Sequence, residues 1–156
     1  MLGGQLRFKG NSILDRISKK VVNPADTNIH ALLQYMIKIC DENGGIGLAA
    51  SQVGVLLQVI IFKHKDKYYE LINPKIYSMQ DEFESTEGCL SFPGEQYQVK
   101  RFKQIEVGYY NKQSKHTRQF FDGMSAVIIQ HEIDHLKGIT LAISGKLIIR
   151  EEDNHA

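Results

Sequence analysis

Two histidines one helical turn apart, His131 and His135, enclose Glu132, Ile133 and Asp134. Residues four apart share a helix face, so both imidazoles reach one metal ion. Glu132 follows the first histidine and reaches a water beside that metal without being a ligand itself. The bland alternative is an exposed charged face with two ordinary histidines. Against it, Met124, Val127, Ile128, His131 and His135 form one stripe that sets the pair on the apolar side. A catalytic metal takes three protein ligands and keeps one position open. The best third candidate is Cys89, in Glu87-Gly88-Cys89-Leu90-Ser91. There Gly88 permits close backbone approach, and a thiolate would cancel one charge of a divalent ion. Without the histidine pair, Cys89 would read as a buried core thiol. His30, His64, His116 and His155 have no second ligand at useful spacing and are expected to be solvated.

A third chemical segment is Gly45-Ile46-Gly47-Leu48-Ala49-Ala50-Ser51-Gln52. Its small residues let the backbone come close to something else. No lysine follows and Gln52 ends the run, which argues against a phosphate loop. A tight helix-to-strand connection is the structural reading.

These segments need elements to hold them. A first helix is predicted over 27–43, with Ile29, Leu32, Leu33, Met36, Ile37 and Cys40 at helical spacing. Asp26 or Thr27 caps its start and Gly44 ends it. Cys40 lies on that apolar face as a packed thiol. Strands are predicted over 58–63, 68–72 and 105–110, which are rich in β-branched and aromatic residues. Ile105, Val107 and Tyr109 alternate with Glu106, Gly108 and Tyr110, a half-buried strand. Asn73-Pro74 should end its strand, because proline cannot donate to a ladder. A second helix is predicted over 123–137, with Asp122 as cap and Gly138 as stop. Helix, strands, then helix reads as α+β.

The chain has 156 residues, 42% hydrophobic and 24% charged, which suits one domain with its own core. The expected organisation is a single catalytic domain over 1–156 with a short C-terminal tail. A formal net charge of +1 argues against a strong nucleic-acid or membrane field. The short basic runs at 63–67 and 100–103, broken by Asp66 and Phe102, read as solvated strand ends or loops. The first residues carry no basic stretch followed by an apolar run, so no signal peptide is expected. Nothing approaches the roughly 18 apolar residues of a membrane span. With two cysteines and no sign of secretion, the expectation is a reducing cytoplasm.

The three chemical segments, in this order, resemble the three motifs of the peptide deformylase family: a Gly-x-Gly-apolar-Ala-Ala-x-Gln run, Glu-Gly-Cys-Leu-Ser, and Gln-His-Glu-x-Asp-His. Residues 45–52, 87–91 and 130–135 match all three intact. Asn73-Pro74, Pro93-Gly94 and Val99-x-Arg101 extend the likeness over about 14–138. The resemblance implies mixed or antiparallel β-sheets packed around a central metal-binding helix. It implies removal of the formyl group from the formyl-methionine of nascent peptides, releasing formate. Cys89, His131 and His135 would bind the metal, with Glu132 as base and Gln52 and the Leu90 N–H as donors to the formyl oxygen. Fe²⁺ is the metal implied natively, with Zn²⁺, Ni²⁺ or Co²⁺ able to replace it. Ligand softness alone would have suggested Zn²⁺. The methionine slot would be built from Ile46, Leu90, Val127, Ile128 and the edge of His131. Plain core packing is the alternative for each. Gly47 and Gly94 would offer backbone groups to an extended peptide. Arg101 would lie near this groove or pair with Glu87.

Some positions depart from the family's pattern. Ser12 stands where proline is common, Asp15 where arginine is common, and 138–144 lacks the usual Phe and Asp. Packing, not chemistry, is the expected consequence. The tail Arg150-Glu151-Glu152-Asp153-Asn154 is acidic and poorly suited to RNA phosphates. Ribosome contact stays open but is disfavoured by this tail, and direct nucleic-acid binding is not expected. The rival enzyme is a zinc endopeptidase, which shares His-Glu-x-x-His. Cys89 in place of a downstream carboxylate or histidine ligand argues against it. The non-enzyme rival, a binding module on the same fold, is disfavoured by intact Gln52, Glu132 and all three ligands.

Overall fold

The structure is a computed structural model that describes residues 5–150. The acidic residues Glu151, Glu152 and Asp153, with Asn154 and His155, lie outside the described residues.

The run Val-Ile-Ile-Phe at 59–62 is apolar without alternation because both its faces are covered. Strand β1 (Gly47–Ala49) pairs antiparallel with β2 (Val59–His64). Leu48, Val59 and Ile61 pack with Ile29, Leu32, Leu33, Met36, Ile39 and Cys40 of helix α1 (Thr27–Glu42). Ala49, Ile60 and Phe62 face the other way, onto Ala126, Ile128, Ile129, Ile133 and Leu136 of helix α2 (Gly123–Leu136). Side chains alternate across a strand, so one run feeds two cores. Ten of the residues of α2 are buried, which makes it the central helix of the fold.

Strands β3 (Lys67–Cys89), β4 (Phe92–Tyr110) and β5 (His116–Asp122) continue the antiparallel sheet in the order β1-β2-β3-β4-β5. A four-residue helix α3 (Leu141–Ser144) leads into β6 (Lys146–Arg150), which pairs with the start of β4. The class is α+β, as expected. Short 3-10 turns occupy Ser12–Asp15 and Ala50–Val53.

The helix starts and stops follow the sequence closely. Asp26 Oδ1 accepts the Asn28 N–H at 2.8 Å, and Asn43 closes α1 one residue earlier than expected. α2 also ends one residue early, and Asp122 stands at its N-cap without a side-chain capping bond. Gly138, at φ +73°, follows as anticipated, and a Cβ there would meet the Asp15 carbonyl oxygen at 2.5 Å.

Asn73-Pro74 does not end its strand. The ladder shifts between Ile72 and Lys75, so the pair forms a bulge inside β3. Asn73 takes φ +51°, its Oδ1 accepts from the Val21 N–H at 2.8 Å, and its Nδ2 donates to the Val21 carbonyl at 2.9 Å. Those bonds replace the missing ladder contacts, and Pro74 sits where no donor is required.

The other histidines are only partly as expected. His30 is half-buried, with Nε2 2.8 Å from the Lys112 carbonyl. His64 is exposed beside Ser125, and His116 is exposed against the Tyr110 ring. Among the described residues, no helix is long and apolar enough to cross a membrane.

Candidate metal centre and cleft

The C-terminal half of α2 carries His131, Glu132 and His135, all buried. Gln130 fixes the helix against β4. Its Nε2 donates to the Phe102 carbonyl at 2.7 Å, and its Oε1 accepts the Phe102 N–H at 2.9 Å. Cys89 ends β3 and meets the helix there, with Sγ 3.4 Å from His135 Nε2. One ligand atom each of Cys89, His131 and His135 lies within 4.8 Å of the others.

His131 Nδ1 is 2.9 Å from Glu87 Oε1, which leaves Nε2 toward the cluster. Arg101 grips the same carboxylate with Nε and Nη2, both at 2.9 Å, and reaches Asp134 with Nη1 at 2.6 Å. Of the two places that its sequence context allowed, beside the groove or paired with Glu87, Arg101 takes the second and does not line the cleft. A carboxylate behind a ligating histidine fixes ring orientation and raises basicity. Burial alone would raise the Glu87 carboxyl, but His131 and Arg101 outweigh it and hold it at about 2.

The cluster suits a cation. Burial opposes charge on His131, yet Glu132, the Cys89 sulfur and Glu87 reverse this and hold its pKa well above the ordinary imidazole range. The field that keeps a proton on one ring would favour a dication between the same groups. His135 is the complement: burial, then His131 and Arg101, push its pKa well down, leaving a neutral imidazole with a lone pair to give. Imidazole nitrogen and thiolate sulfur are both donor types on which catalytic metal sites draw, and three protein donors leave one position open.

Glu132 stands beside this cluster, 4% exposed, with no hydrogen-bond partner for Oε1 among the described residues. Burial, reinforced by Glu87 and Asp134 against the charges of His131 and Arg101, raises its carboxyl to about 7. Gly47 makes room for it. A Cβ there would lie 2.6 Å from Ile128 Cγ2 and 2.7 Å from Glu132 Oε2. Gly45 is as tight, against Leu90 Cδ1 at 2.6 Å. Gly88 is not, because its nearest neighbour would be the Glu95 carbonyl at an ordinary 3.6 Å.

Gln52 is locked in one orientation. Its Oε1 accepts the Ala49 N–H at 2.9 Å, so Nε2 faces Ser91 Oγ at 3.0 Å and Cys89 Sγ at 3.5 Å.

A cleft of about 840 Å³ opens from this cluster. Ile46, Gly47, Leu90, Gly94, Val127 and Ile128 all line it, with Gln52, Cys89, His131 and Glu132. His135 lies behind, 1% exposed. Gly94 takes φ +77°, a conformation that favours glycine. Sequence reasoning missed Phe83, Ser85 and Met124 on the cleft wall. The alternation Phe83-x-Ser85-x-Glu87 could have found the first two. Met124 belongs by spacing to the apolar stripe of α2, but it is 65% exposed at the cleft mouth.

Known proteins resemble this chain in sequence and in fold. The sequence profile of the family described as polypeptide deformylase matches residues 5–144. A peptide deformylase of Natranaerobius thermophilus is 40% identical over 153 residues, 97% of each chain. The crystal structure of peptide deformylase from Thermotoga maritima superposes with a TM-score of 0.87 at 30% identity, covering 92% of this chain and 97% of that one. A peptide deformylase from Synechococcus elongatus, crystallised in complex with actinonin, gives 0.85 at 34% identity, covering 90% and 78%.

Proposed function

This chain belongs to the polypeptide deformylase family, and from that premise we propose that it hydrolyses the N-formyl group of formyl-methionine on newly made polypeptides, releasing formate. The observation that carries the reading is the convergence of Cys89, His131 and His135 beside Glu132 at the inner end of an apolar-walled cleft.

Held by Cys89, His131 and His135, a divalent cation would polarise the formyl oxygen and lower the pKa of water to about 7. The family reading favours Fe²⁺, with Zn²⁺, Ni²⁺ or Co²⁺ as replacements. Glu87, itself clamped by Arg101, orients the His131 ring so that Nε2 faces inward. Glu132 takes the proton that the attacking water gives up and returns it to the departing amine. Its unpartnered Oε1 and raised carboxyl suit a group that must both accept and release a proton near neutrality. Gln52 Nε2 and the Leu90 N–H are the donors for the charge that grows on the formyl oxygen. The Ala49 N–H sets the amide of Gln52 in advance, so no reorganisation is needed during reaction.

Val127, Ile128, Ile46 and Leu90 offer apolar surface to the leading side chain. Gly47 and Gly94 line the same cleft and would offer backbone groups to the peptide that follows. The working unit is one catalytic domain acting in the cytoplasm on nascent chains. Two free cysteines, Cys40 and Cys89, agree with a reducing compartment.

Glu132→Gln tests the reading. The variant should keep one metal per chain yet lose nearly all formate release from a formyl-Met peptide. Full activity in that variant would remove Glu132 as the base.

A further inference from the structure

The wall of the cleft contains a polar group that the reaction does not use. Phe83, Ser85 and Glu87 alternate along β3 and therefore share one face. Opposite them, His131, Ile128, Val127 and Met124 step back along α2. Glu87 bonds His131 at 2.9 Å at the inner end. Met124 lies seven residues earlier, about 10 Å along the helix axis. Ser85, two residues before Glu87 on that face, lines the same cleft, into which the side chain of the leading residue would enter.

Ser85 is 8% exposed, and its hydroxyl makes no hydrogen bond among the described residues. The same cleft is lined by Phe83, Met124, Val127 and Ile128, whose side chains do not accept a hydrogen bond well. Lys103 lines the same cleft, with Nζ 5.8 Å from the Phe83 ring centroid. Among the described residues it has no carboxylate partner. The hydroxyl is not sealed from solvent, so once the slot is filled it needs an acceptor on the ligand in place of water. The thioether of methionine is only a weak acceptor, whereas the oxygen of its sulfoxide is a strong one.

We propose that this slot also takes methionine sulfoxide as the formylated residue, with Ser85 Oγ donating to the sulfoxide oxygen and Lys103 at the open end. The enzyme would then deformylate chains whose first residue has been oxidised. This rests on the deformylase reading and extends its substrate range.

The test is kcat/KM for matched formyl-Met, formyl-methionine-sulfoxide and formyl-norleucine tripeptides, on the metal-loaded wild type, Ser85→Ala and Lys103→Met. The wild type is expected to process the sulfoxide peptide. Ser85→Ala should lower the sulfoxide-to-Met ratio by about tenfold or more, as expected for removing the donor to a buried acceptor. Lys103→Met should lower the same ratio less, and the norleucine-to-Met ratio should not fall in either variant. A folding defect would depress all three substrates together and leave the ratios unchanged. An unchanged sulfoxide ratio in Ser85→Ala, or no turnover of the sulfoxide peptide by wild type, overturns the proposal. No turnover of formyl-Met by wild type would instead overturn the deformylase reading itself.

Discussion

Replacing Arg101 by methionine separates two roles that the sequence left open. The guanidinium makes three short bonds, two of 2.9 Å to Glu87 and one of 2.6 Å to Asp134, and is 4% exposed. Methionine keeps much of the volume but none of the charge. Glu87 would then remain buried with only His131 beside it. Removing one partner of a buried ion pair costs about 3–5 kcal/mol, because the other charge is left uncompensated. In a domain of this size each 1 kcal/mol lowers Tm by about 2–4 °C, so a fall of roughly 6–20 °C is expected. Loosening Glu87 also loosens the His131 ring, and losing such a support weakens metal binding by about 10- to 100-fold. The peptide KM, measured at saturating metal, should hardly move, because Arg101 does not line the cleft. The assays are thermal unfolding, metal competition against a chelator, and formate release over a range of peptide concentrations. A large rise in KM with wild-type Tm and metal affinity would refute this reasoning and make Arg101 a peptide contact.

Gly47→Ala should reduce kcat about 100-fold or more, because its Cβ would displace the Glu132 carboxylate and Ile128. The overpacking should cost only about 1–3 kcal/mol of stability. Kinetics within threefold of wild type, alongside unfolding curves, would contradict that close approach. Acid should weaken the fold through Glu87. Its folded pKa of about 2 lies below the ordinary 4.5. The stabilisation is therefore complete above pH 4.5 and lost as pH falls through about 2. The shift corresponds to at most roughly 3 kcal/mol. Urea unfolding of chelated protein from pH 6 to pH 2 should show a steeper acid limb in wild type than in Glu87→Gln. Identical limbs would mean that Glu87 is not held down by its partners.

The reach of the sequence can be followed residue by residue. The spacing of His131 and His135 was enough to put both on one turn of a helix, because helix geometry is local. Cys89 could be singled out by its neighbours but not by distance. Its meeting with His135 depends on how β3 ends against α2. The unbroken apolar run at 59–62 announced a strand, yet only the fold shows α1 on one face and α2 on the other. Asn73-Pro74 misled, because the bonds that rescue the strand come from Val21, far away in sequence. Arg101 was undecided for the same reason: its partners, Glu87 and Asp134, come from two different elements. Ser85 lies outside the strands that the sequence predicted, and its place on the cleft wall follows from the length of β3, which runs on to Cys89.

Cobalt substitution gives the sharpest check on whether one sulfur and two imidazoles share an ion. Wild-type protein reconstituted with Co²⁺ should bind one ion per chain and show a near-ultraviolet sulfur-to-cobalt charge-transfer band. Cys89→Ser should lose that band, and His135→Ala should lose most of the bound metal. A wild-type spectrum without the band, or its survival in Cys89→Ser, would contradict the ligand set on which the rest depends.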